Sequence, residues 1–175
     1  EAWTAKDETN GVLDSDMKNN DLIIDLCCGL GRFPGEDVVS IDIDPKVKPT
    51  IVADIRFLPL RPSLRPRLVH ASPPCKYFSQ ASINRYGHDV PGIAESLRLV
   101  AACFDAFALL EPKMWTLENP AYFLRRIIPK TATTEYANKH YKHKKTDFFS
   151  NNRALARALI PQDIRQKILE VAELK

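Results

Sequence analysis

Apolar residues fall along the chain in short continuous runs separated by Gly, Pro and Asp. Such runs are Asp21–Cys28 (DLIIDLCC), Asp37–Ile43 (DVVSIDI), Thr50–Ala53, Arg67–Ser72 (RLVHAS) and Met114–Glu118 (MWTLE). Continuous apolar runs of this length suit strands buried on both faces of a parallel sheet, where a strand with one wet face would alternate. Thr131–Tyr136 and Thr146–Phe149 are candidate late strands. Between the fourth and fifth runs the period changes. Gly92–Leu110 puts Ile93, Leu97, Val100, Ala101, Phe104 and Ala108 on one helical face, with Pro91 at its start and Pro112 just beyond its end. Ala121–Ile128, closed by Pro129, is a candidate second helix. Gln162–Leu174, after Pro161, is a third, amphipathic through Ile164, Ile168, Leu169 and Val171. Strands alternating with helices predict an open, mostly parallel α/β sheet flanked by helices. The first twenty residues are polar and lack either pattern. They predict an N-terminal arm over 1–20, followed by a single domain over 21–175, in keeping with the length of 175 residues.

Composition narrows the setting. A hydrophobic fraction of 45% supplies a full-sized core. The longest apolar stretch, Leu97–Leu110, is interrupted by Arg98 and Asp105 and is too short to cross a bilayer. With no secretory signal visible, no membrane partner and a cytoplasmic location are expected. The four cysteines, Cys27, Cys28, Cys75 and Cys103, contain no Cys-x-x-Cys pair, which fits a reducing compartment. A net charge of +3 does not announce a nucleic-acid binder. Its distribution says more, because Lys139, Lys142, Lys144 and Lys145 lie close together, interleaved with His140, Tyr141 and His143. Such a run is either a solvated loop or an edge that contacts phosphates. His140-x-x-His143 has a spacing that metal sites use, but the surrounding lysines would repel a cation, and no metal is expected.

In open α/β sheets, ligands bind beyond the carboxyl ends of the strands, near the switch in strand order. Polar features stand at those ends here. Gly29-Leu30-Gly31 follows the first strand, and two glycines let a backbone approach a ligand closely. Asp42, with Asp44 beyond it, ends the second strand and can accept hydrogen bonds from both hydroxyls of a ribose. Asp54 follows the third strand and can accept from the amine of an adenine. Each feature alone is also what a turn or a cap would require. In succession they describe a nucleoside cradle. After Gly31 the chain reads Arg32-Phe33-Pro34-Gly35, so the third glycine of the phosphate-binding fingerprint is displaced, and no phosphate-cradling lysine motif is present. That favours a cofactor without phosphates, as S-adenosylmethionine is, over a dinucleotide.

The fourth run ends in Ser72-Pro73-Pro74-Cys75. Two prolines stiffen the backbone before a cysteine at the carboxyl edge of the sheet, which is how a nucleophile is presented. A free thiol titrates near ~8.5, so a nucleophilic cysteine needs activation. The alternative is a buried, inert thiol. The fifth run ends in Glu118-Asn119-Pro120, which brings a carboxyl group to the same edge, unless it merely caps a turn.

These segments carry a family resemblance. Asp25-Leu26-Cys27-Cys28-Gly29-Leu30-Gly31 resembles the cofactor motif of the cytosine-5 DNA methyltransferases. Ser72-Pro73-Pro74-Cys75-Lys76-Tyr77-Phe78-Ser79 resembles their catalytic Pro-Cys motif, and Leu117-Glu118-Asn119-Pro120 is similar to their Glu-Asn motif. Order and rough spacing match from Asp21 to Pro120. The likeness is to short, phage-type and prokaryotic members, whose tail of a tyrosine-containing strand, a basic turn and a Lys/Arg-Thr-Asp segment is similar to Tyr136 and Lys142–Asn151 here. The resemblance implies a minimal class I, Rossmann-like S-adenosylmethionine-dependent methyltransferase that acts on carbon 5 of cytosine. It assigns catalysis to Cys75, Glu118 and Asn119. It assigns the cofactor to Asp25, Cys27, Gly29, Gly31, Asp42, Ile43, Asp54, Ile55, Ser72 and Pro74. Arg125, Arg126, Lys142, Lys144 and Lys145 are the candidate nucleic-acid contacts, although the two arginines would equally suit the wet face of a helix.

The chain also departs from the family. Only Arg32–Glu36 separates the first glycines from the second strand, where most members place a helix. Cys27 replaces an aromatic residue, and the family's Gln-x-Arg-x-Arg motif is not visible. Only 57 residues follow Glu118, too few for a full target-recognition domain. DNA is the expected substrate. RNA or a cytosine nucleotide is the alternative, as is a non-catalytic member that binds cofactor or nucleic acid and acts with a partner. Target recognition would then come from a second copy or a partner chain.

Overall fold

The computed structural model describes residues 21–31, 33–80, 84–85, 89–138 and 141–152, without the side chains of 136–144. The expected arm over 1–20, the expected helix Gln162–Leu174, and Lys139 and His140 lie outside the described residues. So do the side chains of Lys142, His143 and Lys144.

Seven strands form one sheet in the order β3-β2-β1-β4-β5-β7-β6. They are β1 (Ile23–Leu26), β2 (Val38–Asp42), β3 (Ile51–Val52), β4 (Leu68–Ala71), β5 (Met114–Pro120), β6 (Ala132–Asn138) and β7 (Tyr141–Ser150). β1 to β5 are mutually parallel where they pair, and β7 enters antiparallel between β5 and β6. The strand order reverses between β1 and β4, which places a switch point at their carboxyl ends. Every residue of β1 and β4 is buried, as the continuous apolar runs require.

The helix α1 (Val90–Leu110) covers one face of the sheet. Asp89 caps it, accepting from Gly92 N at 3.1 Å, and Pro91 occupies its first turn, where a missing N–H is harmless. Glu111 ends it in the left-handed conformation with its N–H on Phe107 O. Its buried stripe runs through Ser96, Val100, Cys103, Phe107 and Leu110, packed over Ile24, Leu26, Ile41, Val69 and Leu117. Burial of each such apolar side chain contributes about 1.5–3 kcal/mol. The expected face is therefore rotated. Ala101 and Ala108 are exposed, while Ile93, Leu97 and Phe104 flank the stripe. Trp115 of β5 sets the rotation, stacking on Phe107 at 4.9 Å and meeting Phe104 edge-on at 5.5 Å.

The helix expected over Ala121–Ile128 is one 3-10 turn, Leu124–Arg126. Distant partners tie the segment down: Ala121 N bonds Lys145 O and Phe123 N bonds Phe78 O. The late strands are longer than their apolar cores predicted. Lys142–Lys145, expected as a basic turn, lies on β7, with Lys145 opposite Glu135 and Lys144 opposite Tyr136. Pairing with β7 also extends β5 through Glu118, Asn119 and Pro120.

On the sheet face away from α1, polar residues stand side by side across five strands. Ser40, Asp25, His70, Thr116 and Ser150 are consecutive register partners, and the first four are buried.

Candidate functional site

The loop after β1 is fastened to β2 by a carboxylate. Gly29 N donates to Asp42 Oδ2 at 2.9 Å, and Asp44 N donates to Asp42 Oδ1 at 2.9 Å. Gly29 has φ +55, a conformation glycine adopts freely. Cys27 has the same φ without that freedom, a local strain of the kind found beside ligand sites. Asp25 is fully buried and accepts from Phe33 N at 3.1 Å, so it shapes the loop from behind.

Beneath this loop, at the carboxyl ends of β1, β2 and β3, lies a cavity of about 340 Å³. Cys27, Gly29, Asp42, Ile43, Asp54, Ile55, Ser72 and Pro74 line it. Asp25 and Gly31, expected among them, do not. Sequence reasoning missed Leu26, Ile41 and Ala53 in the wall, together with Arg56 and, from α1, Glu95 and Leu99. The helix residues come from far along the chain and carry no local signal. Arg56 directly follows Asp54-Ile55 and was legible as part of that segment. Arg56 donates to Asp54 from its backbone N and from its guanidinium, with Nε at 3.0 Å from Oδ1. This contact holds the Asp54 carboxyl below its usual range.

Cys75 sits on a turn just past β4. Ser72 N bonds Leu26 O at 3.1 Å, which prolongs the strand by one residue, and Ser72 Oγ lies 2.9 Å from His70 Nε2. Phe78 N closes the turn onto Cys75 O at 3.0 Å. Phe78 is fully buried and stacks on Phe123 at 5.7 Å, anchoring the turn. Tyr77 presses on the first turn of α1, so closely that a Cβ at Gly92 would fall 2.5 Å from its ring. Of the four cysteines only Cys75 is exposed. The buried Cys103 thiol is pushed well above the usual range, first by its hydrogen bond with Cys27 and then by burial. A thiol so held stays protonated and is a poor nucleophile.

Ala71 and Leu117 are register partners, and the next residues on the two strands are Ser72 and Glu118. Glu118 is thus half-buried at the edge that carries Cys75. Asn119 is buried opposite Asp147, and its amide makes no hydrogen bond among the described residues.

The expected basic contacts divide. Arg125 is not a free surface cation. It grips the fully buried Asp147, with Nε 2.6 Å from Oδ2, and Thr133 Oγ1 donates to the same carboxylate at 2.7 Å. Arg126 is exposed over the Tyr122 ring at 4.9 Å, and exposed Lys145 lies 3.6 Å from Glu135. Among the described residues no three His, Cys, Asp or Glu gather as metal ligands, and no helix is long and apolar enough to cross a membrane.

No protein-family model matches the chain, and no curated protein is similar to it in sequence. Among solved structures it is similar to one described as a candidate DNA modification methyltransferase encoded within an E. coli prophage, at 12% identity and a TM-score of 0.45. The similarity covers 81% of this chain and 51% of that one, so the chain spans about half the length of that structure.

Proposed function

We propose that the protein transfers a methyl group from S-adenosylmethionine to carbon 5 of cytosine in DNA, through a covalent adduct on Cys75. One observation carries this reading. An exposed thiol and a carboxyl group stand at the carboxyl edge of neighbouring parallel strands, beside a cavity with acids at the ends of two further strands. The mostly parallel sheet, with its cavity beside the switch point, supports a minimal class I, Rossmann-like fold.

The residues present fit the cofactor. A volume of about 340 Å³ falls within the range of small-molecule sites, ~300–1,000 Å³. Leu26, Ile41, Ile55 and Leu99 offer apolar surface to a purine. Asp42 spends one backbone hydrogen bond on each oxygen and keeps accepting capacity for two ribose hydroxyls. The cation in the wall, Arg56, is matched by two carboxylates, which suits a ligand without phosphates. When bound, S-adenosylmethionine supplies an electrophilic methyl group.

The protein's part is to make the cytosine ring nucleophilic. A base in a duplex is first extruded. The Cys75 thiolate forms a bond to carbon 6, and the displaced electron pair passes to carbon 5. Glu118 in its acid form donates a hydrogen bond to ring nitrogen 3 and stabilises charge that develops there. After methylation a base, water at this open edge, takes the carbon 5 proton; the electron pair of that bond re-forms the 5,6 double bond, the carbon 6–sulfur bond breaks, and the thiolate is restored. Of the expected contacts, Arg126 and Lys145 have described side chains exposed towards a nucleic-acid backbone, with a second copy or partner chain supplying target recognition.

The test is methyl transfer from labelled cofactor to DNA, RNA and cytosine nucleotides in parallel. Label at carbon 5 of cytosine in DNA is expected. Label in RNA or nucleotide alone would move the substrate. No transfer to any of them, despite cofactor binding, would leave a non-catalytic binding protein.

A further inference from the structure

One end of the cavity is lined by an ion chain. Arg56 wraps onto Asp54: its backbone N lies 2.9 Å from Oδ1, and its Nε lies 3.0 and 3.1 Å from the two oxygens. Its Nη2 also bonds Oδ2. Its Nη1 reaches across to Glu95 Oε1 on α1 at 2.8 Å, and Glu95 Oε2 accepts from Arg98 at 3.2 Å. One side chain thus ties together the two walls of the cavity, the β3 end and α1. With 40% of its surface exposed, it sits at the rim.

A carboxylate has about four lone-pair sites. Three N–H groups of Arg56 occupy them: the backbone N–H on Oδ1, an Nη2–H on Oδ2, and the Nε–H shared between the two. An exocyclic amine therefore competes with the guanidinium for Asp54. We propose that Arg56 is a gate at the purine end of the cavity: it competes with the incoming base for Asp54 and, once displaced, is held aside by Glu95. This inference rests on the cofactor reading above. Arg56 is the exposed partner, so water competes for its N–H groups and the gate opens at small cost.

The gate predicts substitutions of opposite sign. Arg56→Ala removes the competitor. Glu95→Gln removes the group that holds the displaced guanidinium. The experiment is calorimetric binding of S-adenosylhomocysteine to the whole chain, with Asp42→Ala as control. Arg56→Ala should bind about 3- to 10-fold tighter, Glu95→Gln about 2- to 5-fold weaker, and the double variant like Arg56→Ala alone. Arg56→Lys, which keeps the charge without the fork, should fall between wild type and Arg56→Ala. Weaker or unchanged binding in Arg56→Ala overturns the gate. A double variant markedly weaker than Arg56→Ala overturns the assignment of Glu95, which would then touch the ligand itself. If the wild type does not bind, or Asp42→Ala binds equally well, the cofactor reading fails instead.

Discussion

The backbone N–H of Gly29 donates to the Asp42 carboxylate at 2.9 Å, so the glycine loop and the acid at the end of β2 form one unit. Removing the acid releases the loop and deletes the acceptor for a ribose. Asp42→Ala should weaken S-adenosylhomocysteine binding by about 1.5–3 kcal/mol, measured by calorimetry. Asp44→Ala is the contrast. Asp44 is exposed and caps the short turn at Pro45–Val47, so its loss should leave binding nearly unchanged.

Tyr77 and Gly92 couple the Cys75 turn to α1. A methyl at position 92 overlaps the Tyr77 ring and the Asp89 carboxylate, so the ring or the helix must shift. Gly92→Ala should destabilise the protein by about 1–3 kcal/mol and slow adduct formation at Cys75. Cofactor affinity should stay near wild type. Denaturant unfolding and adduct kinetics check this. Adding Tyr77→Ala should relieve the clash and recover part of the lost stability.

Arg125 and Asp147 predict a stability effect where the sequence suggested a DNA contact. Arg125→Ala leaves a fully buried carboxylate with Thr133 as its remaining described donor. The expected loss is about 3 kcal/mol, at the low end for breaking a buried pair because Arg125 is partly wet. Arg126→Ala, at an exposed site, should change stability by less than about 0.5 kcal/mol. Denaturant unfolding separates the two.

Asp54 predicts a pH dependence. Arg56 holds its carboxyl below the usual range. A lowered pKa in the folded state adds stability above the unfolded value, near ~3.9, and that stability is lost as pH falls through the folded value. The stability difference between wild type and Arg56→Ala should be flat from about pH 5 to 7 and shrink below about pH 4. A difference unchanged at pH 3 would assign it to something other than this pair.

What could be read in advance was whatever the chain writes locally. Apolar runs marked β1 to β5, and the Gly29 loop, Asp42, Asp54, Cys75 and Glu118 each stand where a run ends. What could not be read depends on residues distant in sequence. Trp115 turns α1, so alanines that share a helical face with Ile93 and Leu97 end up wet. Residues 121–128 have a helical composition, but bonds to Phe78 and Lys145 tie the segment to distant parts of the chain. Lys142–Lys145 are polar enough for a turn, yet ladder pairing makes them strand. Asp25 and His70 lie within apolar runs, where nothing local announces a row of buried polar partners. Glu95 reaches the cavity because α1 packs against the 3-10 turn Ile55–Phe57, which no motif records.

The most direct measurement is trapping on DNA that carries 5-fluorocytosine, in which fluorine replaces the proton that must leave carbon 5. With S-adenosylmethionine present, the wild-type chain should form a covalent adduct stable to denaturation, mapping to Cys75, and Cys75→Ser should form none. The absence of an adduct with a wild-type chain that binds cofactor and DNA, or an equal adduct in Cys75→Ser, would contradict the assignment of Cys75 as the nucleophile.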